Sequence, residues 1–138
     1  MTNAEWVFAR AIHLMDEQNE QTGATLTSDT QEYHNRTLSI LNVLRGELFP
    51  YSDTYEDWPV DEDRRPVCPE ISNFDEDIGL DDVLSQTVLP YGLAAHLLLG
   101  ENDAMASYFS QRYAETLGSV VRTKRAKWEE IEPAYGRI

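Results

Sequence analysis

The chain is poor in nearly every residue that marks an easily read function. Of its 138 residues only Cys68 is a cysteine, so no intramolecular disulfide can form, and a reducing compartment is the expectation. Val67-Cys68-Pro69 has no histidine nearby in sequence and no evident base to make the thiol a nucleophile. The seven glycines are all isolated, which excludes a loop of clustered amides for cradling phosphate. The longest apolar run, Leu93–Leu99, is interrupted by His96 and falls far short of the roughly 20 residues that span a bilayer. "MTNAEWVFAR" lacks the basic start and apolar run of a signal peptide, so the expectation is a soluble protein without a membrane role. No segment alternates like a strand, and no internal repeat is visible.

Basic residues are scarce too: 11 against 25 acids, a formal charge of −14. The imbalance is local. Residues 1–50 carry seven acids and three bases, residues 51–100 twelve and two, and residues 101–138 six of each. Four of the C-terminal bases cluster in "RTKRAK" (Arg122, Lys124, Arg125 and Lys127). Such a surface opposes the cationic phosphate contacts on which nucleic-acid binding rests, so tight DNA binding is not expected. It suits a passage along which DNA slides without sticking.

What is present is helical. A chain of this length fits one domain, 1–138. "TNAE" has capping-box spacing and predicts helix 1 over about 3–18, with Trp6, Ala9 and His13, flanked by Phe8, Ile12 and Met15, on its apolar face. "GATLTS" reads as a loop. "DTQE" repeats the cap spacing for helix 2, whose apolar face is Tyr33, Thr37, Ile40, Leu41, Leu44 and Leu48 and which Pro50 ends. Residues 50–79 show no sustained period and contain four prolines, many acids and the aromatics Tyr51, Tyr55, Trp58 and Phe74. A loop that long is unusual inside a compact domain, and its aromatics argue against full disorder. It reads as an excursion, partly packed on the helices and partly awaiting a partner. Helix 3 is expected over about 82–99, with Pro90 either kinking it or opening a second segment, and Gly92, Ala94 and Ala95 giving it a narrow side. Helix 4 covers 101–121 with Met105, Phe109, Tyr113, Leu117, Val120 and Val121 at helical spacing. The C-terminal extension, 122–138, should remain helical to Glu130 and turn extended at Pro133. The fold class is therefore all-α: four main helices, with a long acidic, proline-containing loop between helices 2 and 3 and a C-terminal tail.

No catalytic constellation emerges. His13, His34 and His96 lie on three different helices without a second ligand-type residue at metal spacing, and read as half-buried histidines. "DEDIGLDD" (Asp75–Asp82) starts like a calcium loop. Its glycine comes one position early, however, and Gln86 stands where the bidentate glutamate belongs. The plainer reading is an acidic approach to a helix N-terminus, with Asp81 and Asp82 favouring the dipole. "NRT" (Asn35–Thr37) matches a glycosylation acceptor but falls mid-helix. Neither GxSxG nor H-E-x-x-H occurs, and an enzyme is not expected.

Three stretches in order carry a resemblance: "EYHNRTLSILNVLRGELFPYSDTY", "IGLDDVLSQTVLPYGLAAHLLLGENDAMASYFSQRYAE", and a short tail containing "YG". Together they resemble small head-to-tail connector, or adaptor, proteins of long-tailed bacteriophages and prophages. The similarity spans most of the chain and is carried by residues 32–55 and 78–115. It implies a helical protein, monomeric when isolated, that forms a ring beneath the portal and extends the DNA channel of the virion neck. Portal, a further adaptor or a stopper protein would be its partners, and host cytoplasm during assembly, then the neck, its location. The resemblance brings no catalytic residues, cofactor or metal ligands. The long acidic excursion departs from compact helical adaptors. In a ring, the basic end of one subunit can meet the acidic loop of the next. The candidate interface is then Tyr51, Tyr55 and Trp58 in the loop, with Arg122, Lys124, Arg125, Lys127, Trp128, Ile131 and Tyr135 at the other end. A simple solvated face is the alternative for the basic run. For the whole chain the alternative is a small acidic helical regulator that mimics DNA or inhibits a host factor.

Overall fold

The computed structural model describes residues 1–54 and 68–125, with side chains in the second stretch through Arg122. Among these residues the fold is all-α, with four helices and no strands. They are α1 (Ala4–Met15), α2 (Gln31–Leu48), α3 (Leu89–Leu98) and α4 (Asp103–Arg125). A 3₁₀ turn, Phe49–Tyr51, extends α2, and a π turn, Leu84–Val88, leads into α3.

Two helix starts differ from the capping boxes expected of them. Asn3, not Thr2, caps α1, its side chain accepting the Trp6 N–H at 2.8 Å. Thr2 is buried instead, its hydroxyl donating to Asp82 at 2.9 Å and accepting from Gln86 at 2.9 Å. Thr30 stands at the N-cap of α2, and its hydroxyl turns back to the Thr25 carbonyl at 2.6 Å and the Thr27 N–H at 2.9 Å. At Thr2 tertiary partners outbid the local motif, and α2 is capped one residue later than the Asp29 expected from "DTQE". At its other end α1 stops at Met15, three residues earlier than expected, and its C-cap Asp16 takes the left-handed conformation (φ 60) that short polar side chains tolerate.

The buried stripe of α1 is Ala4, Val7, Phe8, Ala11, Ile12 and Met15. Trp6 and Ala9 flank it half-buried, and His13 is exposed, a rotation of about half a face from the expectation. On α2 the expected face holds: Tyr33, Thr37, Leu41, Leu44 and Leu48 are buried and Ile40 is half-buried. Leu93, Leu97, Leu98 and Phe109 complete the predicted core, with Tyr113 half-buried on its edge.

Pro90 opens α3 rather than kinking it. Its missing N–H and its ring both disturb the turn before it, and the wider π turn accommodates them. Asp81 receives the Leu84 N–H at 3.2 Å, so the acidic approach does cap this helical stretch. Gly92 is where α3 and α4 meet closely: a Cβ there would lie 2.8 Å from the Tyr113 ring and 3.1 Å from Leu44. α4 runs to Arg125, in line with the expected helical continuation past 121, so the basic run begins inside it.

Between α2 and α3, residues 68–82 form an irregular strap across the N-terminal side. Its carbonyls at Glu76 and Phe74 accept the Ala4 and Glu5 N–H groups of α1 at 3.2 and 3.0 Å, and Ile78 N–H donates to the Thr2 carbonyl at 2.8 Å. The strap therefore satisfies amides that a helix leaves orphaned in its first turn. Ile71, Ile78 and Leu80 are buried beneath it. This half of the predicted excursion packs back on the helices.

Candidate assembly interface

The strap is anchored by a buried cation. Arg45, 4 % exposed on the core side of α2, donates from Nε to the Ile78 carbonyl at 2.7 Å and from Nη1 to the Pro69 carbonyl at 2.7 Å. Nη1 also reaches the Asn42 side chain at 3.0 Å. Asn42 in turn pairs with both backbone groups of Ile71, at 2.9 and 3.0 Å, as a neighbouring strand would. Backbone carbonyl dipoles thus solvate the guanidinium, whose fork geometry suits several fixed acceptors at once.

On the opposite flank Ser52 and Thr54 hold the start of the loop. Ser52 Oγ accepts the Asp81 N–H at 3.0 Å, Thr54 donates to the Gly79 carbonyl at 2.8 Å, and Asp53 N–H donates to Asp81 at 3.2 Å. One root of the acidic excursion is thus tied to the strap at Gly79 and Asp81, and the other to α2 through Arg45 and Asn42.

Between these roots the outer face of α2 lines an open groove of about 730 Å³. Its walls include Val43, Gly46, Pro50, Cys68 and Glu70. Val43 is 59 % exposed. Burial pushes the Cys68 thiol up, and Arg45 works weakly against that rise. On the other side of α2, Tyr113 of α4 donates to Glu47 at 3.2 Å. Burial first and that carboxylate second raise the Tyr113 pKa well above the usual phenol range.

Two of the ten predicted interface residues have described side chains. Tyr51 is 43 % exposed at the end of the 3₁₀ turn, and Arg122 is exposed on α4. Lys124 and Arg125 belong to the last turn of α4. Tyr55, Trp58, Lys127, Trp128, Ile131 and Tyr135 lie outside the described residues, as does the expected helix to Glu130 and the turn at Pro133.

The histidines separate in the fold. His13 and His96 are exposed, contrary to the half-buried reading. His34 alone is half-buried, stacked on Phe74 (3.8 Å between centroids, 10° between planes) with Nε2 3.0 Å from Glu5. It thus joins α1, α2 and the strap. Among the described residues no group of three or more His, Cys, Asp or Glu side chains is arranged to hold a metal ion, and no helix is long and apolar enough to cross a membrane. In "DEDIGLDD" the carboxylates of Glu76, Asp81 and Asp82 bond to the chain itself. Glu76 accepts from the Ser72 N–H, the Ser72 hydroxyl and the Asn73 amide at 3.1, 2.8 and 2.9 Å, which holds its carboxyl below the ordinary value.

Sequence reasoning missed Arg45, Asn42 and Thr2, the residues that fix the strap. A signal existed for Arg45, which adjoins Leu41, Leu44 and Leu48 on an otherwise apolar face. Comparisons of the chain with protein-family models, with curated proteins and with solved structures give no significant match.

Proposed function

We propose that this chain is a non-enzymatic structural protein of a phage neck, part of the head-tail connector that continues the DNA channel below the portal. The reading rests on the resemblance carried by residues 32–55 and 78–115. The observation that supports it best is that these stretches form the mutually packed kernel of the fold. "LPYGLAAHLLL" is α3, "ASYFSQRY" lies in α4, and the Gly92–Tyr113 approach joins them against Leu44 of α2. The pattern is thus a packing unit, the kind of feature that persists where surfaces diverge.

The charge distribution fits the same role. An acidic body repels the DNA it would surround, and the bases at the end of α4 offer a complement to the acidic loop of a neighbour. The test is to delete the gene from a phage or prophage that encodes it and inspect particles by electron microscopy. Full heads and separate tails, joined again when the protein is added back, are the expected result. Normal joining in the deletion would remove the reading. The net charge of −14 favours one second reading, an acidic regulator that mimics DNA. A host operon around the gene, rather than portal and capsid genes, would favour it.

A further inference from the structure

We propose that the groove on the outer face of α2 receives the C-terminal segment, residues 126–138, of a second copy of this chain. The inference rests on the connector reading for its setting, and it specifies the contact by which neighbours would join. The groove floor is a strip at helical spacing, Val43, Gly46 and Pro50, about 10 Å long at 1.5 Å per residue. Gly46 leaves it open, since a Cβ there would meet nothing within 4 Å. Val43 is large, apolar and 59 % exposed, and Glu70 supplies a carboxylate on the wall.

The occupant follows from complementarity and reach. Residues 128, 131 and 135 are Trp, Ile and Tyr, spaced to present apolar groups at the same interval as the floor. Arg122, Lys124, Arg125 and Lys127 precede them, opposite in sign to Glu70 and to the acids at 53–63 that flank the groove in sequence. Thirteen residues beyond Arg125 reach up to about 43 Å when extended, ample to cross between neighbours.

A second copy fits better than the chain's own tail. α4 packs on α3 and touches α2 through Tyr113, which donates to Glu47 at 3.2 Å. At about 100° per residue, Ser39, Val43, Gly46 and Pro50 face away from Leu41, Leu44 and Leu48. From Tyr113 α4 runs a further 12 residues, about 18 Å, to Arg125, so an intramolecular tail would have to fold back from that end to reach the groove.

Cys68 lines the groove and is the natural cysteine of the chain, which makes it a position probe. The natural 1–138 chain is mixed with a 1–138 Cys68→Ser, Ile131→Cys variant under a mild oxidant at slightly alkaline pH. The expected product is an interchain link between positions 68 and 131. Its rate should fall at least tenfold when the natural partner carries Val43→Asp or Gly46→Arg, both at exposed helix positions that leave the core untouched. Circular dichroism checks that each variant is folded. A folded variant that links at the natural rate would overturn the proposal. So would a single chain holding Cys68 and Ile131→Cys that links only within itself, because the occupant is then the chain's own tail. Portal-bearing heads separate this proposal from the connector reading. Heads that recruit the protein while no 68–131 link forms defeat the groove alone, and linked chains that bind no head defeat the connector reading alone.

Discussion

The strap at 68–82 and the last turns of α4 reverse the usual association of regular structure with fixity. The strap has almost no regular structure, yet Arg45, Asn42, Thr2 and the first amides of α1 hold it at successive points. Beyond Tyr113, α4 is regular to Arg125, yet among the described side chains the hydrophobics packed against the core there, Leu117 and Val120, are only half-buried. Helical hydrogen bonds close within four residues and need no tertiary partner. An irregular backbone must find its partners elsewhere, and where it does it becomes part of the core.

The comparison can be broken by substitution, with the core helix as reference. Leu97, fully buried in α3, should lose about 2–5 kcal/mol on truncation to alanine, read from urea melts, as for other buried leucines. A loss under about 1 kcal/mol would make α3 peripheral. Arg45→Met keeps the stem and removes the donors to Ile78 and Pro69. It should cost about 2–4 kcal/mol, because hydrogen bonds to charged groups contribute about 1.5–3 kcal/mol each and relief of the buried charge offsets part of the loss. Hydrogen exchange should show amides of the strap, Ile78 above all, opening first. If Arg45→Met proves as mild as a surface change, the strap is held by its apolar residues instead.

Leu117→Ala in distal α4 should cost only about 1 kcal/mol, since a half-buried side chain leaves little cavity. A larger loss would place the end of α4 within the cooperative core and weaken the contrast.

The smallest effect is expected from acid. Glu76 has a depressed folded-state pKa, so its contribution is full above the unfolded carboxylate value, near 4.3, and is lost as pH falls through the lower folded value. Glu76→Gln should therefore differ from the natural protein at about pH 6 and approach it near pH 3 in denaturant midpoints. A gap that stays constant with pH would show that the turn at Ser72–Glu76 does not depend on the charge.

Much of the helical frame was legible because its signals are local. The apolar spacing of α2, that of α4 apart from Met105, which is exposed, the end of α2 at Pro50, and the small residues of α3 each act within a few residues of chain. On α1 the expected Phe8, Ile12 and Met15 are buried, but the face was centred wrongly because Trp6 and His13 carry apolar surface that the fold leaves at the rim or in solvent. Thr2 misled as a cap because its hydroxyl takes the partners the fold brings near, and Asp29 misled because α2 is capped one residue later, at Thr30. Of the interface, only the exposure of Tyr51 and Arg122 and the helical setting of Lys124 and Arg125 can be compared with expectation.

By itself the sequence determined the class of structure and its charge map: helical periods without strand alternation, one cysteine, and an acidic middle set against a basic end. These depend on composition and on neighbours a few residues apart. The tertiary structure alone decided that Arg45 enters the core, that Asn42 serves as a substitute strand for Ile71, and that Gly92 receives the Tyr113 ring. Each joins residues more than twenty positions apart, and no local preference distinguishes a buried guanidinium from an exposed one until the carbonyls that solvate it are in place.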